Sequence, residues 1–240
     1  MDERDGQRDG RRDGERLEYG QTRYKAPDGA ADLLLIRHGA SAPARPGRPF
    51  PLVGGQGDPE LAPEGREQAE RVCERLADEH LDAIYVTPLR RTAQTAAPLA
   101  RRLGLEPRVE AGLREVHLGE WEGGLFRKMV SDNTPVVQRM FAEERWDVIP
   151  GAEDHDAFAR RVEEALTRLA AAHAGDRIAV FTHGGVIAQA LAAVTGSRRF
   201  AFLPPDNASI SRLVRLGDLS SIRGFNDVSH LDWSAPAPLS

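Results

Sequence analysis

Apolar residues along this chain fall into two alternating rhythms. In "DLLLIRHGAS" (32–41) the run Leu33–Ile36 is short, continuous and bounded by charge, which predicts a buried strand. From Pro63 to about Glu79, Ala69, Val72, Cys73 and Leu76 share one helical face. "DAIYV" (82–86) predicts a second strand. "TPLRRTAQTAAPLARRLG" then predicts a helix with Thr87 as N-cap, Pro88 at its first position and Gly104 as its stop. Residues 107–124 read as loop or edge strand. Residues 125–150 read as a helical insertion with Phe141 and Trp146 packing inward. A helix over about 154–173 presents Phe158, Val162, Leu166 and Leu169 on one face, and "RIAVF" (177–181) is a further buried strand. "THGG" opens a helix over 185–195. "SISRLVRL" (209–216) alternates as a half-buried strand, with "SIRGF" as its pairing partner. Strands alternating with helices predict an α/β fold, a three-layer sandwich with a mostly parallel central sheet and helices on both faces.

The two ends depart from this rhythm. Residues 1–30 repeat an Arg-Asp-Gly theme with almost no apolar residue, and predict a disordered charged tail. Residues 233–240 predict a loose C-terminal tail, leaving one domain over 31–232 with a lid-like insertion at about 125–150. There are no internal repeats. A net charge of −5 argues against general nucleic-acid binding, which needs a basic surface. Of the 32 basic residues only Lys25 and Lys128 are lysine, so an arginine becomes informative only through its position. Cys73 is the single cysteine; it excludes an intrachain disulfide and, lying on the apolar face of its helix, reads as core. No run is apolar enough for a membrane span, and the charged N-terminus does not read as a secretory leader. A cytoplasmic location is expected, no membrane partner is expected, and a homodimer is left open.

Chemistry concentrates where strands end. In an open α/β sheet, ligands bind beyond the C-terminal ends of the strands. Here those ends deliver Arg37-His38-Gly39, then Thr87-Pro88-Leu89-Arg90-Arg91, then Thr182-His183-Gly184-Gly185. Guanidinium forks match phosphate oxygens and keep their charge. Helix N-termini add N–H donors, and Gly39, Gly184 and Gly185 allow the backbone close to an anion. A neutral imidazole can serve as nucleophile. Departure of an alcohol then needs a proton donor, and Glu115 in "GLREVHLGEWEG" is the best-placed carboxyl. The acidic "DHD" (154–156) opens a helix, where negative charge favours the dipole, so it reads as a helix start rather than a metal cluster.

These motifs, in this order, resemble the histidine phosphatase superfamily, in the branch that contains the cofactor-dependent phosphoglycerate mutases and their phosphatase relatives. "LIRHGAS", "DPELAPEGREQA" (58–69), "TPLRRTAQTA", "LREVHLGEWEG", "PGAED" (150–154), "THGG" and "FNDVSHL" (225–231) carry the likeness across about residues 32–231. The resemblance implies a phosphoglycerate mutase-like fold with His38 as the phosphorylated nucleophile. It implies Arg37 and Arg91 as the phosphoryl clamp, with Arg90 at the rim, and His183 as the second pocket histidine. Glu115 would be the acid and then the base, and Ser41 and Gly184 would be further phosphate contacts. It implies no cofactor and no metal. Two positions depart from the family pattern: Ala40 follows the motif glycine, and Ala44 stands where an asparagine is usual. Ser41, Arg48 or Gln56 are the candidate replacements for that phosphate ligand. "GEWEG" sits on the phosphatase side of the family. The expected activity is metal-independent hydrolysis of a small-molecule phosphate ester, with broad specificity allowed. The alternatives are a phosphoglycerate mutase, a phosphohistidine phosphatase and a non-catalytic phospho-ligand binder.

Overall fold

Strand β1 (Ala31–Arg37) is apolar at every position from Leu33 to Ile36, so it can lie only where both faces are covered. The computed structural model, which describes residues 23–231, places it at the centre of a six-stranded sheet. Its side chains alternate between two cores. Leu33 and Leu35 face one core, with Phe158, Val162, Leu166 and Leu169 of helix α5 (His155–Ala172) and the helix α6 (Gly184–Thr195). Leu34 and Ile36 face the other, with Val72 and Leu76 of α1 (Pro63–Leu76) and Leu99 of α2 (Arg90–Leu103). Each fully buried side chain of this size contributes about 1.5–3 kcal/mol by leaving water. The three layers follow directly.

The sheet order is β5 (Arg108–Val109), β4 (Ala83–Val86), β6 (Arg177–Thr182), β1, β7 (Ile210–Leu216), β8 (Leu219–Asp227), and a separate small hairpin joins β2 (Leu52–Val53) to β3 (Gln56–Gly57). β5, β4, β6 and β1 run parallel; β7 is antiparallel to β1, and β8 is antiparallel to β7. Parallel alignment of β1, β4 and β6 brings Arg37, Thr87 and His183 to the same sheet edge. The remaining helices, α3 (Leu125–Ser131) and α4 (Pro135–Glu143), form the insertion.

Several expectations change in detail. The helix expected from Thr87 begins at Arg90, and Leu89 occupies its cap position, because the Thr87 side chain is committed elsewhere. Gly104 ends that helix as expected, in the left-handed conformation at φ 67°. The helix from Pro63 ends at Leu76, short of Glu79. Asp154 caps α5, its side chain accepting from the Ala157 N–H at 2.8 Å, which accounts for the acidic run there. Trp146 is buried as expected, but Phe141 is 50 % exposed. The buried face of α4 is Val137 and Met140, one turn apart, and Phe141 falls beside it, edge-on to Phe200 at 6.1 Å. Within the expected N-terminal tail, residues 23–30 lie against the domain: Tyr24 sits under the Arg223 guanidinium and Ala30 is buried. The expectations for residues 1–22 and 232–240 lie outside the described residues. Among the described residues no helix is long and apolar enough to cross a membrane.

Candidate active site

His38 stands one residue past the end of β1 and is buried. Its Nδ1 lies 2.8 Å from the Gly39 carbonyl oxygen. A carbonyl can only accept, so Nδ1 carries the proton and Nε2 carries the lone pair. Burial, reinforced by the guanidiniums of Arg91 and Arg37, holds this imidazole well below the usual histidine range. The nucleophile expected from the sequence is thus neutral, with its tautomer fixed. Its backbone is pinned as well: Asn207 Nδ2 donates to the His38 carbonyl at 2.9 Å, and the Ala208 N–H bonds the Arg37 carbonyl at 3.1 Å.

Among the described residues, the two arginines expected to form the clamp are held by backbone oxygens and not by carboxylates. Arg37 Nη1 donates to the Pro205 carbonyl, while its Nε is buried without a partner among the described residues. Arg91 is 8 % exposed and donates Nη1 to the Gly57 carbonyl at 2.9 Å. Burial lowers the pKa of both, that of Arg91 to about 10, which leaves Arg91 charged at neutral pH. Arg90 points the other way, onto Asp58 at 2.7 Å, as a rim residue should. Thr95 Oγ1 ties the elements together, donating to the Arg91 carbonyl at 2.7 Å and accepting from the Gly39 N–H at 3.0 Å.

His183 is 0 % exposed and stands behind His38, edge to face at 5.3 Å between ring centroids. Its Nε2 is 2.9 Å from Thr87 Oγ1, and its Nδ1 is buried without a partner among the described residues. Burial and the Arg91 charge lower its pKa well below the usual range too. Neither His183 nor Gly184 lines the open cavity; a Cβ on Gly184 would meet Arg37 Nε at 3.3 Å. They support Arg37 and His38 from behind.

Glu115 reaches the N-terminus of α6, where its Oε2 accepts from the Gly185 N–H at 3.2 Å and its Oε1 from its neighbour Val116 at 3.0 Å. This changes the reading of the glycines. A Cβ on Gly185 would stand 2.5 Å from Glu115 Oε1, so Gly185 makes room for the protein's own carboxylate. A Cβ on Gly39 would stand 2.5 Å from the Gly65 carbonyl oxygen, so Gly39 serves the close approach of α1 to the strand end. Arg161 of α5 fixes the backbone of the acid segment. It donates to the carbonyls of Gly112, Arg114 and Glu115 at 2.9, 2.7 and 2.9 Å, with Glu153 as its ion-pair partner.

These groups meet in a cavity of about 260 Å³. One end holds Arg37, His38, Ser41, Gln56, Arg91 and Glu115. Of the three candidates to replace the family asparagine, Ser41 and Gln56 line the cavity; Arg48 is exposed and does not. Gln56 Nε2 is already committed to the Glu115 carbonyl at 2.6 Å. Ser41 Oγ accepts from Arg127 at 2.7 Å. Arg127, from the first turns of the insertion, also donates to the Ala42 carbonyl and lies 5.2 Å over the Phe50 ring. Sequence reasoning missed Arg127, Arg161, Asn207 and the role of Thr87. Among the described residues no group of three or more His, Cys, Asp or Glu side chains is placed to hold a metal ion.

The family model described as the histidine phosphatase superfamily (branch 1) matches residues 33–228. The chain belongs to that superfamily. A phosphoglycerate mutase-like protein 4 of Arabidopsis thaliana is 34% identical over 218 residues, covering 88% of this chain and 92% of that protein. A metal-independent phosphoserine phosphatase of the same plant is 32% identical and covers 86% of each. The solved mycobacterial glucosyl-3-phosphoglycerate phosphatase superposes with a TM-score of 0.69 at 28% identity, covering 82% of this chain and 99% of that one. A Bacillus anthracis phosphoglycerate mutase, at 20% identity and a TM-score of 0.71, shares the fold.

Proposed function

We propose that this protein is a metal-independent phosphomonoesterase that acts on a small phosphorylated metabolite through a phosphohistidine on His38. One observation carries the reading. A neutral imidazole with a fixed Nδ1–H stands beside two buried guanidiniums that lack carboxylate partners among the described residues. Buried unpaired cations are costly unless a ligand anion compensates them, and the planar fork of arginine matches phosphate oxygens. In the first step the Nε2 lone pair attacks phosphorus and the bond to the ester oxygen breaks. Arg37 and Arg91 hold the three equatorial oxygens, and Glu115 gives its proton to the departing alcohol. In the second step Glu115, now a carboxylate, takes a proton from water as that water attacks phosphorus. The phosphorus–nitrogen bond breaks, and inorganic phosphate and neutral His38 are regenerated. His183 keeps its neutral ring against His38 and supports the nucleophile from behind. The names of the phosphatase relatives, one of them called metal-independent, favour hydrolysis over mutase chemistry.

The test is hydrolysis of p-nitrophenyl phosphate in excess EDTA, wild type beside His38→Ala. Wild-type turnover that falls to background in the variant is the expected result. Turnover that survives the substitution, or that EDTA removes, overturns the reading. Glu115→Gln should slow alkyl esters strongly and spare the nitrophenyl ester, whose leaving group needs little protonation.

A further inference from the structure

The cavity has a second half that the phosphoryl chemistry does not use. Trp121, Phe126 and Trp146 line it as a contiguous ladder, with ring centroids 6.3 Å and 6.2 Å apart in succession. Phe50, Val116 and Leu118 line it as well. These residues come from three segments distant in sequence: the loop before β2, the acid segment, and the insertion. The rings are therefore a built wall and not the by-product of one amphipathic helix.

Charged and polar groups in that half are already committed. Glu122 accepts the Gly57 N–H on one carboxylate oxygen at 2.7 Å and the Leu118 N–H on the other at 2.8 Å. Arg127 donates to Ser41 and Ala42, in the segment that follows the nucleophile. At the phosphoryl end, Gln56 is likewise committed, to the Glu115 backbone. A leaving group rich in hydroxyls would find few free partners here, and a carboxylate would meet Glu122 as well as Arg127. An apolar ring would find aromatic walls. At about 260 Å³ the cavity falls just below the roughly 300–1,000 Å³ of sites for drug-sized ligands, so one ring on a short linker is the size that fits beside the phosphoryl group.

We infer that the preferred substrates are phosphomonoesters of apolar, ring-bearing alcohols, with Trp121, Phe126 and Trp146 forming the specificity wall. This inference rests on the phosphatase reading above and names the substrate class of that same site.

The experiment compares phenethyl phosphate with ethyl phosphate and with phosphoserine. All three are primary alkyl esters, so leaving-group chemistry is nearly matched and the side group is the main variable. Burial of one ring predicts a kcat/KM for phenethyl phosphate roughly 10- to 100-fold above that for ethyl phosphate, and above that for phosphoserine. In Phe126→Ala the phenethyl-to-ethyl ratio should fall about tenfold. A ratio of two kcat/KM values cancels the fraction of enzyme that is folded, so partial misfolding does not blur the result. The same comparison is made in binding, with phenethylphosphonate against ethylphosphonate followed by calorimetry. If no ester is turned over but the phenethylphosphonate preference holds, the specificity wall stands and the phosphatase reading falls. Equal affinity for the two phosphonates, or phosphoserine turned over faster than phenethyl phosphate, overturns the inference.

Discussion

Both ends of the central strands carry arginines, and the two ends treat them differently. At the N-terminal end Asp32, buried at the start of β1, accepts from Arg177 at 2.8 Å and from Arg212 at 2.8 and 2.7 Å. Arg177 also pairs with Glu79. The hydrogen bond to Asp32 raises the Arg212 pKa. At the C-terminal end Arg37 and Arg91 have only backbone carbonyls for partners among the described residues, and burial lowers both pKa values. The same side chain is ion-paired at one end; at the other it touches no carboxylate among the described residues, and Glu115, Asp58 and Asp206 act on it only from a distance. A paired arginine holds a fold together. A buried arginine with no carboxylate in direct contact is costly to the fold, and an anionic ligand would relieve that cost. In a chain whose cations are nearly all arginine, this difference in partners, and not the residue type, marks the site.

The comparison breaks most sharply at Arg91. Arg91→Ala should cost roughly 2–4 kcal/mol of transition-state stabilisation, about 30- to 1,000-fold in kcat/KM, with an unchanged or higher Tm. A lower Tm with intact activity would reverse the assignment of the two ends. Asp32→Asn is the mirror experiment. It leaves two guanidiniums short of a carboxylate, and solvent access at those arginines limits the loss to about 2–3 kcal/mol in urea unfolding. kcat per folded molecule should not change.

A third test reads the buried histidines by pH. His38 and His183 have depressed folded pKa values, so the unfolded chain takes up their protons first as pH falls through about 6.5. Stability is therefore greatest above that pH and declines below it, each buried imidazole adding about 1.4 kcal/mol per pH unit until its folded pKa is reached. Urea midpoints measured downward from neutral pH should show this slope, and His38→Gln should flatten it. A nucleophile already neutral also predicts that the acid limb of kcat/KM lies well below pH 6.5. Arg90→Ala is the smallest effect: Arg90 pairs with Asp58 at the rim, and activity should stay within about twofold of wild type.

The strand ends were legible because each delivers its chemistry within three to five consecutive residues. Buried strands also announce themselves as unbroken apolar runs, as Leu33–Ile36 does. Arg91 is separated from Arg90 by the resemblance, whose spacing R-x-x-x-T-A falls on Arg91, Thr95 and Ala96, and Thr95 does bond the Arg91 carbonyl. What the sequence hid was contact at a distance. Arg161 lies 46 residues from the carbonyl it steadies at Glu115, and Asn207 lies 169 from His38. No local pattern encodes such pairings. The glycines misled for a related reason. A glycine signals that something comes close, and only the fold shows that the neighbour of Gly185 is Glu115 and that of Gly39 is Gly65. Phe141 was read as core because it is large and apolar, but the helical phase set by Val137 and Met140 left it outside. The antiparallel placement of β7 against β1 left no signal comparable to the short hairpin that joins β7 to β8.

The central claim is that the phosphoryl group passes through His38. Wild-type enzyme should be mixed with p-nitrophenyl phosphate in EDTA, quenched in alkali within the first turnovers, and its intact mass and peptides measured beside His38→Ala. The account predicts one added phosphoryl group, stable in alkali and lost in acid, on the peptide that holds His38, and none in the variant. A phosphoryl group on another residue, or steady turnover with no phosphoenzyme on His38 at any quench time, would contradict it.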